Sequence, residues 1–144
     1  MADCSKRYPK PLLSEDEKSK ADVATLSYDF SCRMIRLYRY LTEDAPYKEQ
    51  VMSKQIYRSG TSIGANIHEA QKAHTKPDFL SKMVIACKEA NETDYWLRLL
   101  HDNGYIDDCQ FDSINRDMQR ILGKIVAIVK TTTENIAKQQ ASRK

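Results

Sequence analysis

Little in this chain interrupts a helix. Only four glycines and four prolines stand among 144 residues, and two of the prolines fall together in the N-terminal YPKP segment, so the remainder is free to run in long helices. No stretch approaches the roughly 18 consecutive apolar residues that span a bilayer, and the N-terminus has no apolar signal-peptide core, so a cytoplasmic chain with no membrane partner is expected. Cys4, Cys32, Cys87 and Cys109 are scattered without a C-x-x-C pair, which argues against a zinc site or a disulfide framework. They read as small apolar residues.

Catalytic signatures are missing as well. Di-iron bundles need Glu-x-x-His motifs, and the chain has none. His68, His74 and His101 sit apart, and His68-Glu69 lacks the second histidine of a zinc-binding helix. There is no G-x-x-x-x-G-K, no G-x-G-x-x-G and no G-x-S-x-G, so nucleotide and hydrolase chemistry has no anchor. No histidine is placed beside Cys87, and Glu89 and Glu92 stand one helical turn apart with no substrate pocket implied. No cofactor, no metal and no enzymatic role are expected. Nor is charge of one sign in marked excess: 23 basic against 20 acidic residues give +3, compatible with a nucleic-acid partner without requiring one.

What is present is helical periodicity. Composition, at 41% hydrophobic and 30% charged, is that of one globular domain with a real core. Ser14 and Glu17 match a capping box and open a first helix whose apolar line is Val23, Leu26, Phe30, Met34, Leu37 and Leu41. Glu43-Asp44-Ala45-Pro46 breaks it, and a second helix is predicted from Pro46 or Tyr47 to about Ala73. Thr75-Lys76-Pro77-Asp78 starts a third, with Phe79, Met83, Ala86, Ala90, Leu97 and Leu100 inside and a stop at Asn103-Gly104. Asp107 or Asp108 caps a fourth, lined by Phe111, Ile114, Met118, Ile121, Ile125 and Ile128. Long helices joined by short loops fold back on their neighbours, which predicts an all-α, antiparallel up-down-up-down four-helix bundle. Residues 1–13 are read as a flexible arm, 14–136 as the bundle and 137–144 as a frayed basic tail.

The densest information lies in RSGTSIGANIHE, Arg58 to Glu69. Its apolar line is Ile56, Gly60, Ile63, Ile67 and Ala70, while a polar line of Ser59, Ser62, Asn66 and Glu69 runs beside it. Solvent faces of helices carry Lys and Glu more often than Ser and Asn beside glycines, so this helix is expected to pack on more than one side. In the third helix, Ile85, Glu89, Glu92, Trp96 and Leu99 form a second line about 100° from the core line. Glu89 and Glu92 are either solvated rim residues or partly buried acids that need donors. On the second reading Arg58, Ser62 and Asn66 join Glu69, Glu89 and Glu92 in a network between helices or between subunits. Gly60 and Gly64, unfavourable in a helix interior, suggest close approach by a neighbour, either inside one bundle or across an interface that includes Ile85, Trp96 and Leu99.

Basic residues form two short rows. Arg33, Arg36 and Arg39 step along the first helix, and Arg116, Arg120 and Lys124 along the fourth. They are candidate phosphate contacts or simply solvated faces, with acids such as Asp112 and Asp117 interrupting the second row.

RSGTSIGANIHEA, the phenylalanine opening the next helix, and KEANETDYWLRLLHDNGYI resemble the four-helix-bundle family encoded in intervening sequences of bacterial large-subunit ribosomal RNA genes, some of whose members carry a ribosomal-protein label. The resemblance spans about Arg33 to Val129, and its most specific residues are Arg58, Ser62, Ile63, Asn66, Glu69, Glu89, Glu92 and Leu97. It implies a ring-shaped homopentamer, no enzymatic activity and a link to nucleic acid. More loosely, the chain is similar to the accessory variability proteins of diversity-generating retroelements, pentameric bundles that bind a reverse transcriptase and its RNA. Two roles follow: an oligomeric scaffold binding RNA or DNA through its basic rows, or a protein-interaction module serving a nucleic-acid enzyme such as a reverse transcriptase.

Overall fold

A computed structural model describes residues 9–143, which form five α-helices and no strand. They are α1 (Glu15–Lys20), α2 (Val23–Arg39), α3 (Met52–Ala70), α4 (Lys76–Asp102) and α5 (Asp108–Ser142). Side chains mark most of the starts. Ser14 accepts the Glu17 N–H while the Glu17 carboxylate reaches back to the Ser14 N–H, and Asp107 and Gln110 reciprocate in the same way at α5. Thr75 accepts the Asp78 N–H at the head of α4, with Pro77 in the first turn where its missing N–H costs nothing. Beyond the end of α4, Gly104 takes φ +80°, a left-handed turn that suits glycine.

Three boundaries differ from the sequence pattern. The expected first helix is two, because Ala21 and Asp22 are extended and the Asp22 carboxylate accepts the Thr25 N–H at 2.8 Å, restarting the helix. α3 begins at Met52 rather than at Pro46 or Tyr47. After α2 the chain widens into one π-helical turn, Tyr40–Asp44, and the Ala45 N–H donates to the Tyr40 carbonyl at 2.7 Å. Pro46 then holds Ala45 extended. The buried Glu49 carboxylate gathers the N–H groups of Val51, Met52 and Ser53 at 2.9, 3.0 and 2.6 Å and serves as the cap of α3. Finally, α5 continues to Ser142, so residues 137–142 are helical rather than frayed; Ile136 and Gln139 border the same cleft as Thr75 and Pro77 at the head of α4.

The apolar lines converge on one core. α2 packs on α3 and α5, α3 on α4, and α4 on α5. Leu26, Phe30, Met34, Leu37, Ile56, Ile63, Ile67, Met83, Leu97, Leu100, Ile114, Met118 and Ile125 are all buried. Phe79, Phe111, Val23 and Ile128 are only partly covered, at the margins of that core.

On the α1–α2–α5 side lies a buried charge cluster. Asp117, interior rather than on the helix-four surface, accepts from Lys18 Nζ at 2.7 Å and from an Arg33 terminal nitrogen at 2.6 Å. The Arg33 guanidinium, 2% exposed, also donates to the Pro9 carbonyl at 2.9 Å and to the carbonyl and hydroxyl of Ser113 at 3.1 and 2.5 Å. Burial pulls the Arg33 pKa down, and Asp117 opposes that pull. Buried Asp29 accepts the N–H groups of Leu12 and Leu13. Of the expected flexible arm, residues 1–8 lie outside the described residues, while 9–13 are tied onto α2.

Asp117→Ala leaves two buried cations without their acceptor and should destabilise the fold by about 3–5 kcal/mol. Urea unfolding measures it, with the triple replacement of Lys18 and Arg33 by Met and Asp117 by Leu expected near wild type. A loss under about 1 kcal/mol in Asp117→Ala would show that the cluster holds nothing together.

Candidate functional site

α3 and α4 run past each other so that rising numbers on one meet falling numbers on the other. Arg58 meets Glu92 at 2.5 Å and Glu89 at 3.6 Å, the Ser59 and Thr93 hydroxyls pair at 2.9 Å, and Glu69 meets Lys82 at 2.7 Å. The outer side of this helix pair is therefore a strip of ion pairs with apolar residues between them. Trp96 donates its indole N–H to Glu92 at 3.2 Å and packs edge-on to Tyr95, with ring centroids 5.4 Å apart. Ile85 is 37% exposed and Tyr95 58% exposed, whereas Trp96 and Leu99 are half-buried.

The two acids are electrostatically different. Glu89 Oε2 is closed off from solvent and accepts no hydrogen bond, its nearest cation being the Arg58 guanidinium at 3.6 Å. Burial raises the Glu89 pKa, Arg58 draws it back, and the neighbouring Glu92 raises it further. Glu92 is held low, first by its hydrogen bond to Arg58 and also by the Trp96 N–H. Glu69 is held low by Lys82. Glu89 is thus a partly buried acid, whereas Glu69 is a solvated one.

The expected six-residue network is only half present. Arg58, Glu89 and Glu92 come together, but Ser62 donates to the Arg58 carbonyl at 2.6 Å and Asn66 to the Ser62 carbonyl at 2.8 Å. Both bond back onto their own helix. Glu69 lies two to three turns away in a separate pair. Ser59 leaves the polar line altogether, since it is buried in the α3–α4 seam.

Gly60 and Gly64 are explained inside the chain. A Cβ on Gly60 would lie 2.5 Å from the Met34 Cγ, and one on Gly64 would lie 2.9 Å from the Ser31 Oγ and 3.1 Å from the Ser27 carbonyl oxygen. They let α2 approach α3, and the interface reading is not needed for them.

The first basic row dissolves. Arg33 is buried in the Asp117 cluster, Arg36 donates to the Lys10 carbonyl at 2.8 Å, and of the three only Arg39 is exposed. In the second row Arg116 and Lys124 are exposed, while Arg120 is half-buried and paired to Glu15 at 3.1 Å. Spacing by three or four residues revealed a shared flank; it carried no sign that Arg33 had a buried acceptor on α5. The sequence reading also missed Asp29, Glu49 and Lys18, whose partners are distant or backbone groups.

No cluster of potential metal ligands exists among the described residues. His101 stacks on Phe111 with centroids 4.4 Å apart and faces Asp108 at 2.7 Å. Cys32 and Cys87 are free, but Cys109 is disulfide-bonded, so the small-apolar reading does not hold for it. None of the described helices is long and apolar enough to cross a membrane.

An all-helical bundle with an ion-paired, partly apolar outer strip on α3 and α4 defines a helical-bundle protein. A family model described as 23S rRNA-intervening sequence protein matches residues 19–127, and the chain belongs to that family. Among solved structures it is similar to a protein of unknown function of the S23 ribosomal protein family from Bacteroides thetaiotaomicron. Identity is 50% and the TM-score 0.73, over 76% of this chain and 99% of that one. No curated protein matches.

The pKa directions give the site a pH signature. Because the Glu89 pKa is raised on folding, its contribution is present at low pH and is lost as pH rises through the folded value; Glu92, depressed, contributes at neutral pH and loses that as pH falls through its own. Glu89→Gln should therefore gain stability relative to wild type on going from about pH 4 to pH 7, while Glu92→Gln should lower stability at neutral pH. An unchanged pH profile in Glu89→Gln would count against the buried-acid assignment.

Proposed function

We propose that the chain is a non-enzymatic scaffold: an antiparallel up-down-up-down four-helix unit, α2 to α5, that assembles into a ring-shaped homopentamer and binds nucleic acid. The observation that carries the assembly is the outer α3–α4 strip, where Ile85 and Tyr95 lie open to water beside an acid whose inner oxygen already lacks both solvent and donor. A second copy laid on that strip covers the apolar residues and brings a donor within reach of Glu89. The nucleic-acid role rests on the family and on charge. Five copies of a chain of net charge +3 carry about +15, enough for binding through counterion release.

Contact through Tyr95 and Trp96 with a nucleic-acid enzyme such as a reverse transcriptase is the second reading. The sharing of the single Arg58 cation by two acids, Glu89 and Glu92, favours it on this strip, since that guanidinium is already engaged and is not free for phosphate.

Light scattering on the purified chain at micromolar concentration should return about five times the 16.6 kDa protomer mass. Ile85→Glu combined with Leu99→Glu should shift the mass to smaller species with the helical circular dichroism retained. A single 16.6 kDa particle in the wild type excludes the ring. Retention on a polyanion column that does not fall between low and moderate salt removes the nucleic-acid role and leaves the protein-partner reading, which is less salt-sensitive.

A further inference from the structure

On the other flank of α3 the structure opens a groove that the basic rows do not include. α2 and α3 are held close by Gly60 and Gly64, and the small residues Ser27, Ser31 and Gly64 floor a cleft of about 530 Å³ walled by Tyr28, Ile35 and Tyr57. Tyr28 is 68% exposed and Tyr57 39% exposed, the latter set edge-on to Tyr38 with centroids 5.3 Å apart. Ile35 and Tyr57 also wall a second cleft, bordered by Arg39, Lys54 and Glu43, so the two run together along the α2–α3 seam. Arg39 and Lys54 are exposed and carry no ion pair among the described residues; Glu43 is the acid that lines this cleft, with Asp44 beside it in the chain.

We infer that this groove is a binding track for single-stranded nucleic acid, with bases on Tyr28 and Tyr57 and phosphates on Arg39 and Lys54. The inference rests on the nucleic-acid reading above and places it. Aromatic side chains left open beside a floor of small residues are a stacking platform, which accepts any base because every base has a flat π-face. Arg39 and Lys54 lie together at one end of the groove beyond Tyr57, where they can take the phosphates of a strand whose bases reach the tyrosines. The track extends about 16 Å along α2 from Tyr28 to Arg39, the reach of a short unpaired segment. Duplex, whose bases are stacked on one another, cannot offer those faces. The opposite end of the groove carries His68 and Glu69, the latter already turned to Lys82, so the acid there is neutralised.

Fluorescence anisotropy of labelled uridine and thymidine oligonucleotides, titrated with the full chain at low salt, tests the track. Wild type should bind both more tightly than a duplex of equal length. Tyr28→Ala and Tyr57→Ala should each weaken binding by about 5- to 150-fold, while Tyr57→Phe keeps it, because stacking needs the ring and not the hydroxyl. Arg39→Ala with Lys54→Ala should weaken binding and lower its salt slope, and Arg116→Ala with Lys124→Ala should leave both unchanged. If wild type binds but the tyrosine variants bind equally well, or if duplex binds as tightly as single strand, the groove assignment is overturned and the nucleic-acid reading stands. If wild type binds no oligonucleotide, both fall. Displacement of bound oligonucleotide by an acidic tyrosine-containing peptide at equal affinity would put a protein segment in the groove instead.

Discussion

Asp117 is the acceptor on which one whole side of the molecule is built. A single carboxylate on α5 satisfies Lys18 from α1 and Arg33 from α2, two cations that burial would otherwise make costly. Arg33 then spends its remaining donors on Pro9 and Ser113, so the arm is clamped between α2 and α5 by the same guanidinium. The short α1 is kept in place by this arrangement more than by its own length, since six residues are too few for an isolated helix. Net stability is not the main yield of such a cluster, because desolvation offsets most of the attraction. What it fixes is placement: only one position of α1 and the arm relative to α5 satisfies every donor.

α3 shows how one helix can serve three neighbours. Consecutive residues on a helix point about 100° apart, so Tyr57 faces the α2 flank, Arg58 the α4 flank, and Ile56 the core. Glycine at 60 and 64 thins the α2 side until Met34 and the Ser27 carbonyl come into contact range. Thinning the seam has a second effect: with no large side chains to fill it, the outer edge stays open as a groove. On the α4 side, Ser59 and Thr93 close the inner seam with hydroxyls, and the longer Arg58, Glu89 and Glu92 close the outer edge with charge.

The apolar lines were readable because burial repeats every three or four residues, and of the residues named as core from that spacing all but Val23, Phe79, Phe111 and Ile128 lose their solvent. Helix starts with a local cap, at Ser14, Thr75 and Asp107, were equally readable. The Asp22 cap was hidden by an apolar line that continues in phase through Val23. The start of α3 was hidden because its cap, Glu49, is a long acid reaching forward from outside the helix, and Pro46 offered a more familiar signal. Charged residues were the least readable. A burial pattern ranks Arg33 with Arg36 and Arg39, and only the distant Asp117, 84 residues along the chain, makes its position intelligible. Ser62 and Asn66 misled for the opposite reason: polar residues in sequence register need no partner when their own helix carbonyls are within reach.

The separation of charge between the two flanks of α3 bears directly on how assembly and ligand binding can coexist. On the α4 flank Arg58 is paired with Glu92 and Lys82 with Glu69, so those two cations hold little for phosphate. On the α2 flank the cations Arg39 and Lys54 remain without acids paired to them. A surface meant for self-association is better neutralised, since like charges brought face to face in every copy would add a repulsion at each contact. A surface meant for a polyanion is better left unpaired, since each cation already engaged with a carboxylate must first break that pair before releasing a counterion. The two chemical requirements conflict on one face and are compatible on two. In a five-fold ring the α3–α4 strip would meet a different face of the next copy, so the proposed track and the proposed ring are compatible when that second face lies away from the α2–α3 seam.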